Sequence, residues 1–419
     1  MTKAEIRQRI EELKKEIVET KKEVDYFDSM QLALKLVLNG SYGAFANAHF
    51  VCSDLAIAGT ITAMGRDIIK YMDTCNENYW YNMWHLDTEL HAILGIENVK
   101  RIEPHYIDPH GKIHEEPEKE LIDKMIDPVK GIPYLKRLNP VSIYCDTDSL
   151  FVGFEPAMKS CDWEGDGKKF VMEINKHRIV GHFDECLERY AAQFKVKNIQ
   201  DFKIERINES IIFLEKKRYV QNVVWEDGID YMPLSYLYPK GIELVKSSTP
   251  PFAREQSKEI IKYFLANPDG ISAPELIKKV REIKNLFKVA KIEDISMTSS
   301  CNGYSKFVID DQNGIDVQLG TPYVVKAAAL HNYLLNQNGQ YKAKYSTLKG
   351  GSKVKFYYCT DTRNAVFAYM RGLYPYEFAP PMDIDLQFEK TILNTINTFT
   401  KVLDLPVLNS RLTYSISLF

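Results

Sequence analysis

The stretch Val141-Ser-Ile-Tyr144-Cys145-Asp146-Thr147-Asp148-Ser149-Leu-Phe-Val-Gly-Phe154 sets two carboxylates, one residue apart, between two apolar runs. Runs of this kind around a short Asp- and Ser-containing stretch read as strand, tight turn and strand. Asp146 and Asp148 then project from a rigid hairpin into shared space, where like charges repel and a divalent cation relieves them. A pair of Mg²⁺ ions on such carboxylates suits nucleotidyl transfer, one at the attacking 3′-hydroxyl and one at the triphosphate and leaving pyrophosphate. Without that chemistry the same residues make an ordinary Asp-rich hairpin turn.

Before this stretch the pattern is helical. Residues 3–25 read as a charged helix, with Thr2 and Glu5 as a capping box and Ile6, Ile10, Leu13, Ile17 and Val24 on one stripe. A break near 25–29 and a more apolar helix over 30–45 predict a helical hairpin. A third helix is expected near 54–72. Residues 73–140 show no clean periodicity.

After the stretch, a helix is expected over 169–194, with Val171, Ile174, Ile179, Phe183 and Leu187 as its apolar positions. Two strands follow, at 210–214 and 219–225, separated by the basic turn Glu215-Lys216-Lys217-Arg218. Ser247-Ser248-Thr249-Pro250 is a helix start, with hydroxyls placed to cap. Helical patterns at 253–265, 274–287 and 324–336 and a Lys-rich β-like segment at 342–359 complete the chain. The fold class is therefore α+β: a helical hairpin (1–45), an antiparallel sheet with helices on one face (46–240, with 73–140 as a candidate insertion) and a mostly helical part (241–419), with a boundary near Gly241.

Bulk properties leave the class open. The chain has 419 residues, 45% hydrophobic and 26% charged, as in an ordinary globular protein. A net charge of −3 offers no support for nucleic-acid binding, so any basic track must be local. The seven Cys contain no C-x-x-C pair and the nine His no H-E-x-x-H pattern, which argues against structural zinc. An odd Cys count and a charged amino terminus fit a reducing, cytoplasmic setting. No apolar run approaches the length of a membrane span.

Two further constellations carry charge. Lys35 and Asn39 share a helix face, with Tyr42 one step along it. A Lys and an amide so placed can grip phosphate and sugar while Tyr offers a flat surface to a base pair, and the same residues also make a solvated polar face. Lys216-Lys217-Arg218-Tyr219 at a strand start fits a clamp on a nucleic-acid backbone, or a solvated turn.

Taken together, the sequence resembles family B DNA polymerases, especially those of large tailed phages, over nearly its whole length. Lys35-Leu-Val-Leu-Asn39-Gly40-Ser41-Tyr42-Gly43 is similar to the family's fingers motif, Tyr144–Ser149 to its palm motif Y-x-D-T-D-S, and Lys216–Tyr219 to its K-K-R-Y, in the same order. Ser247–Pro250 resembles the phage enzymes' entry into the thumb. The resemblance implies fingers (1–45), palm (46–240) and thumb (241–419). It makes Asp148 the principal metal and catalytic ligand, with Asp146 beside it and Mg²⁺ as the cofactor. It assigns Lys35 and Asn39 to the triphosphate of a dNTP, and Tyr42 and Gly43 to the nascent base pair. Lys216, Lys217, Arg218 and Tyr219 would hold the primer terminus. Arg7, within Arg7-Gln8-Arg9-Ile10, is the candidate for the γ-phosphate.

The departures are specific. Gly40 stands where Ser is usual, which loosens a helix by up to about 1 kcal/mol. Glu11 replaces a common second triphosphate-binding Lys. The first palm motif, D-x-x-S-L-Y-P, is missing; Leu237-Tyr238-Pro239 lacks the upstream Asp. The resemblance therefore implies a split polymerase, whose amino-terminal partner brings the exonuclease and the other essential Asp. The ending Leu412–Phe419 resembles a sliding-clamp peptide, and Lys342, Lys344, Lys349, Lys353 and Lys355 are candidates for duplex phosphates. The alternative is a non-catalytic remnant that binds primer–template or a clamp.

Overall fold

Between residues 3 and 39 the chain holds neither Gly nor Pro, so nothing local stops a helix once it has nucleated. The computed structural model describes residues 3–107, 113–115, 136–137, 140–242, 248–267, 270–361 and 365–412. In it, Lys3–Phe45 is one helix of 43 residues, α1. The helical hairpin expected over 1–45 is thus absent. No break occurs at 25–29, where the Ser29 hydroxyl turns back onto the Asp25 carbonyl at 2.7 Å and adds to the helix's own bonding. Ion pairs one turn apart, Arg9–Glu12 at 3.3 Å and Lys14–Glu11 at 2.7 Å, line its polar side. Its apolar stripe is exposed from Ile6 through Leu38.

The chain divides into two units, Met1–Lys203 and Ile204–Phe419. In the first, α2 (Leu55–Asn78) starts where Asp54 accepts from the Ala56 and Ile57 amides, and it runs six residues past the expected end at 72. A π turn (Tyr79–Met83), a short 3₁₀ turn (Trp84–Leu86) and α3 (Thr88–Leu94) follow. Strands β1 (His105–Ile107), β2 (Ile113–Glu115) and β3 (Lys136–Arg137) form a small antiparallel sheet in the order β2-β1-β3. The rest of 108–139 lies outside the described residues. Strands β4 (Ser142–Asp146) and β5 (Ser149–Val152) form the expected hairpin. The helix expected over 169–194 runs from Gly167 to Gln193, with a π turn at Asn175–Ile179. Trp80, Trp84, Tyr79, Phe170, Met72 and Val141 make the core of this unit.

The second unit is built on β6 (Arg206–Glu215), β7 (Arg218–Glu226), β8 (Ile229–Asp230) and β9 (Tyr236–Lys240), all antiparallel, with β9 beside β7. This sheet is separate from β4–β5, so the expected antiparallel layer is two sheets. Ile212 and Val220 share a core with Ile260, Phe264, Val280, Phe287 and Phe399 from the helices Pro251–Leu265, Ala273–Val289 and Asn394–Val402. Gly241 therefore lies inside this unit, because the sheet before it and the helices after it bury each other's apolar faces. Pro250 occupies the N-cap of Pro251–Leu265 without a side-chain capping bond, in place of the expected hydroxyls.

The remaining strands are β10 (Met297–Ser300), β11 (Val308–Asp310), β12 (Asp316–Val317), β13 (Lys353–Tyr358) and β14 (Val366–Met370), in sheets β10-β13-β14 and β11-β12. Helix Tyr323–Asn336 forms as expected. The Lys-rich segment is only partly β: Gly339–Lys344 is helical, with Asn338 capping Gln340 N, and the strand starts at Lys353.

His331, on that helix, is 1% exposed, with its ring beside Phe367 and Phe378. Burial lowers its pKa to about 4 from an ordinary 6.5. The unfolded chain therefore binds a proton that the folded chain refuses between those values. Stability of the second unit should fall as pH drops from about 6.5 to about 4, by up to about 3 kcal/mol from this group. In urea titrations across that range, His331→Leu should flatten the acid limb relative to the parent.

Candidate active site

The carboxylate turn has two loop residues, Thr147 and Asp148, between the paired Asp146 and Ser149. Thr147 takes φ +59°, a conformation that a β-branched residue rarely adopts and that costs on the order of 1–3 kcal/mol. The Asp148 amide donates to the Asp146 carbonyl at 2.7 Å and closes the turn. The Thr147 hydroxyl donates to the Asp146 carboxylate at 3.1 Å, and the Ser149 hydroxyl to the Asp146 carbonyl at 3.1 Å. Asp146 is buried and Asp148 is exposed.

Helix α2 holds this hairpin from one side. Fully buried Asn76 donates to the Ser142 hydroxyl at 2.8 Å and accepts from the Trp80 indole at 3.0 Å. Three residues earlier, Asp73 lies near the Cys145 thiol, and its buried Oδ1 has no hydrogen-bond partner among the described residues. Desolvation, then Asp73 and the charge of Glu77, push that thiol up to about 12. Asp73, Asn76 and Glu77 were not singled out from the sequence. Their spacing of three and four residues at the helix end was the available sign, and it needed the helix to continue past 72.

The α1 residues are brought together only in part. Lys35, Asn39 and Tyr42 lie on one exposed face, with Gly43, also exposed, at its end. Arg7 stands 28 residues before Lys35, about 42 Å away along the axis at about 1.5 Å per residue. In one continuous helix the two cations cannot meet one triphosphate.

In the second unit, Lys216 and Lys217 form the loop between β6 and β7, with Glu215 paired to Arg218. Lys217 takes φ +61°. Lys216 and Lys217 are exposed and Arg218 is half-buried, with NH1 donating to Glu215 at 3.1 Å. Tyr219 is 3% exposed, its ring against Phe213, so it supports the strand and offers no open stacking face. The Lys-rich segment does not form one track: Lys355 is buried and donates to the Glu293 carbonyl, and Lys344 pairs with Glu377. The apolar ending beyond Leu412 lies outside the described residues.

Residues 3–367 match a known family, DNA polymerase family B. The chain belongs to that family. The DNA polymerase catalytic subunit of Rat cytomegalovirus (strain Maastricht) is 24% identical over 236 residues, 56% of this chain and 15% of that protein. This chain thus spans a small part of the relative's length. Among the described residues no helix is long and apolar enough to cross a membrane.

For a divalent cation the turn offers hard carboxylate oxygens, which suits Mg²⁺, an ion that keeps several waters and takes one or two carboxylates beside phosphate. Among the described residues no group of three or more His, Cys, Asp or Glu is arranged to hold a metal. Cys145 is exposed yet hard to ionise. At pH 8 it should react with iodoacetamide far more slowly than exposed Cys52, and Asp73→Asn should speed its labelling, as peptide mass spectrometry would show.

Proposed function

We propose that this chain carries the fingers, carboxy-terminal palm and thumb of a template-directed DNA polymerase, which joins dNTPs to a primer 3′-hydroxyl. The supporting observation is the strained hairpin turn that carries Asp146 and Asp148, within a chain of family B. Asp148, with Asp146 beside it, would hold Mg²⁺, which would supply charge neutralisation at the triphosphate and activation of the attacking hydroxyl. Asp148, exposed at the tip, is the direct ligand. Asp146, buried and bonded by Thr147, sets the turn and the local negative charge. Lys35 and Asn39 engage the triphosphate, Tyr42 and Gly43 the base pair, and Lys216, Lys217 and Arg218 the primer backbone. Arg7 joins the triphosphate only if α1 bends.

A two-ion site would need a further carboxylate beside Asp148 and Asp146. An amino-terminal polypeptide bearing the further Asp, and the exonuclease, completes the enzyme in this proposal. The apolar carboxy-terminal ending serves a sliding clamp.

Primer extension tests this, with the chain alone and with a candidate amino-terminal polypeptide. Synthesis is expected only in the mixture. Asp148→Ala should lower it by at least a hundredfold, while duplex affinity changes less than threefold, on the scale of losing an electrostatic catalytic contact. Unchanged synthesis by Asp148→Ala would sink the metal-site assignment. Tight duplex binding without synthesis in any mixture would favour a binding remnant.

A further inference from the structure

The basic turn at Lys216–Arg218 does not stand alone at its end of the sheet. Strand β9 runs beside β7 with Lys240 opposite Tyr219, and the next residue, Gly241, sits against the turn itself. A methyl group at Gly241 would stand 2.4 Å from the Lys217 carbonyl oxygen and 2.9 Å from Arg218 Cγ. The first of these is backbone, so it cannot swing aside as a side chain would. Gly241 also takes φ +67°, and its carbonyl accepts from Arg218 Nε at 3.3 Å.

We propose that Gly241 is a positioning residue for the basic turn, setting the place of the Lys217 backbone by close contact and anchoring the Arg218 guanidinium through its own carbonyl. This rests on the reading of that turn as a grip on the primer backbone. Lys217 is held at φ +61°, in a conformation that L side chains leave readily unless their surroundings over-determine it. The contact from Gly241 is one such constraint. The Glu215 carboxylate, bonded to the other end of the same guanidinium, is a second. Arg218 thereby presents its remaining donors in a fixed orientation, which matters for a planar group that meets phosphate through paired bonds.

The fold supplies its own control. Gly228, in the loop between β7 and β8, also has a positive φ, +90°, but a methyl group there would meet nothing within 4 Å. Gly228→Ala therefore carries backbone strain alone, and Gly241→Ala carries strain and the clash with the turn.

The experiment measures fluorescence anisotropy of a labelled primer–template duplex on the full chain, across a salt series, beside thermal unfolding. Both glycine variants should lose thermal stability. Only Gly241→Ala should weaken duplex binding, on the order of tenfold, with the salt slope reduced by about one phosphate contact. Equal binding by the two variants would overturn the positioning role. Arg218→Lys keeps the charge, gives up the bond to Gly241 and does not depend on whether Gly241→Ala folds. Its binding should fall severalfold, and affinity equal to the parent would overturn the anchoring role. The double variant Lys217→Ala with Arg218→Ala separates the two levels. If it binds as the parent does, the grip itself is wrong; if it loses affinity while Gly241→Ala does not, only the positioning inference fails.

Discussion

Asp146 and Asp148 flank Thr147 where a strand pair reverses direction, and the first unit braces the hairpin that carries them. Pairing of Asp146 with Ser149 and of Cys145 with Leu150 leaves only Thr147 and Asp148 to reverse the strand direction. Thr147 meets that demand in a region β-branched residues avoid. The strain persists because the hairpin is fixed elsewhere, by the buried amide of Asn76 on the Ser142 hydroxyl. A helix thus fixes the geometry of a turn whose own conformational preference is otherwise. That is what a charged site needs if its ligands are to be in place before an ion or phosphate arrives.

The second unit solves a related problem with the opposite charge. Lys216 and Lys217 turn a strand pair, again with a non-glycine residue at positive φ, and again with support from a neighbouring element. Here the support is β9 and the glycine that ends it. Each unit therefore offers a strained hairpin tip of one sign of charge, braced by a neighbour that makes no claim to the chemistry. Strain at both tips is evidence for function only in combination with the charge each displays, since strained turns also occur without it.

Helix α1 is built differently. No helix or sheet buries its apolar stripe among the described residues, and Ile17 and Leu38 are 63% and 71% exposed. Its continuity rests on unbroken helix-compatible sequence and on ion pairs at one-turn spacing, each worth only a few tenths of a kcal/mol. Its continuity separates Arg7 from Lys35, residues that the family resemblance assigns to one triphosphate. The local preference for helix and the demand of a shared ligand pull this segment in different directions.

The two hairpins with their charges, and most helices of both units, were legible from the chain itself, because alternation, turn residues and 3.6-residue periodicity act over a few positions. So was family membership, through ordered motifs. The break expected at 25–29 does not form because the segment holds neither Gly nor Pro, and the Ser29 hydroxyl bonds within the helix. Asp73, Asn76 and Gly241 were not legible. Their significance lies in what stands opposite them, 66 residues along the chain for Asn76 and 23 for Gly241. Burial of Tyr219 and Lys355 was likewise a matter of packing, since a motif names a residue type and the surrounding strands decide whether it meets solvent. Sequence alone determined which charges this protein carries and on which turns; tertiary structure decided which of them are held in place, because only contacts between distant segments can oppose a local conformational preference.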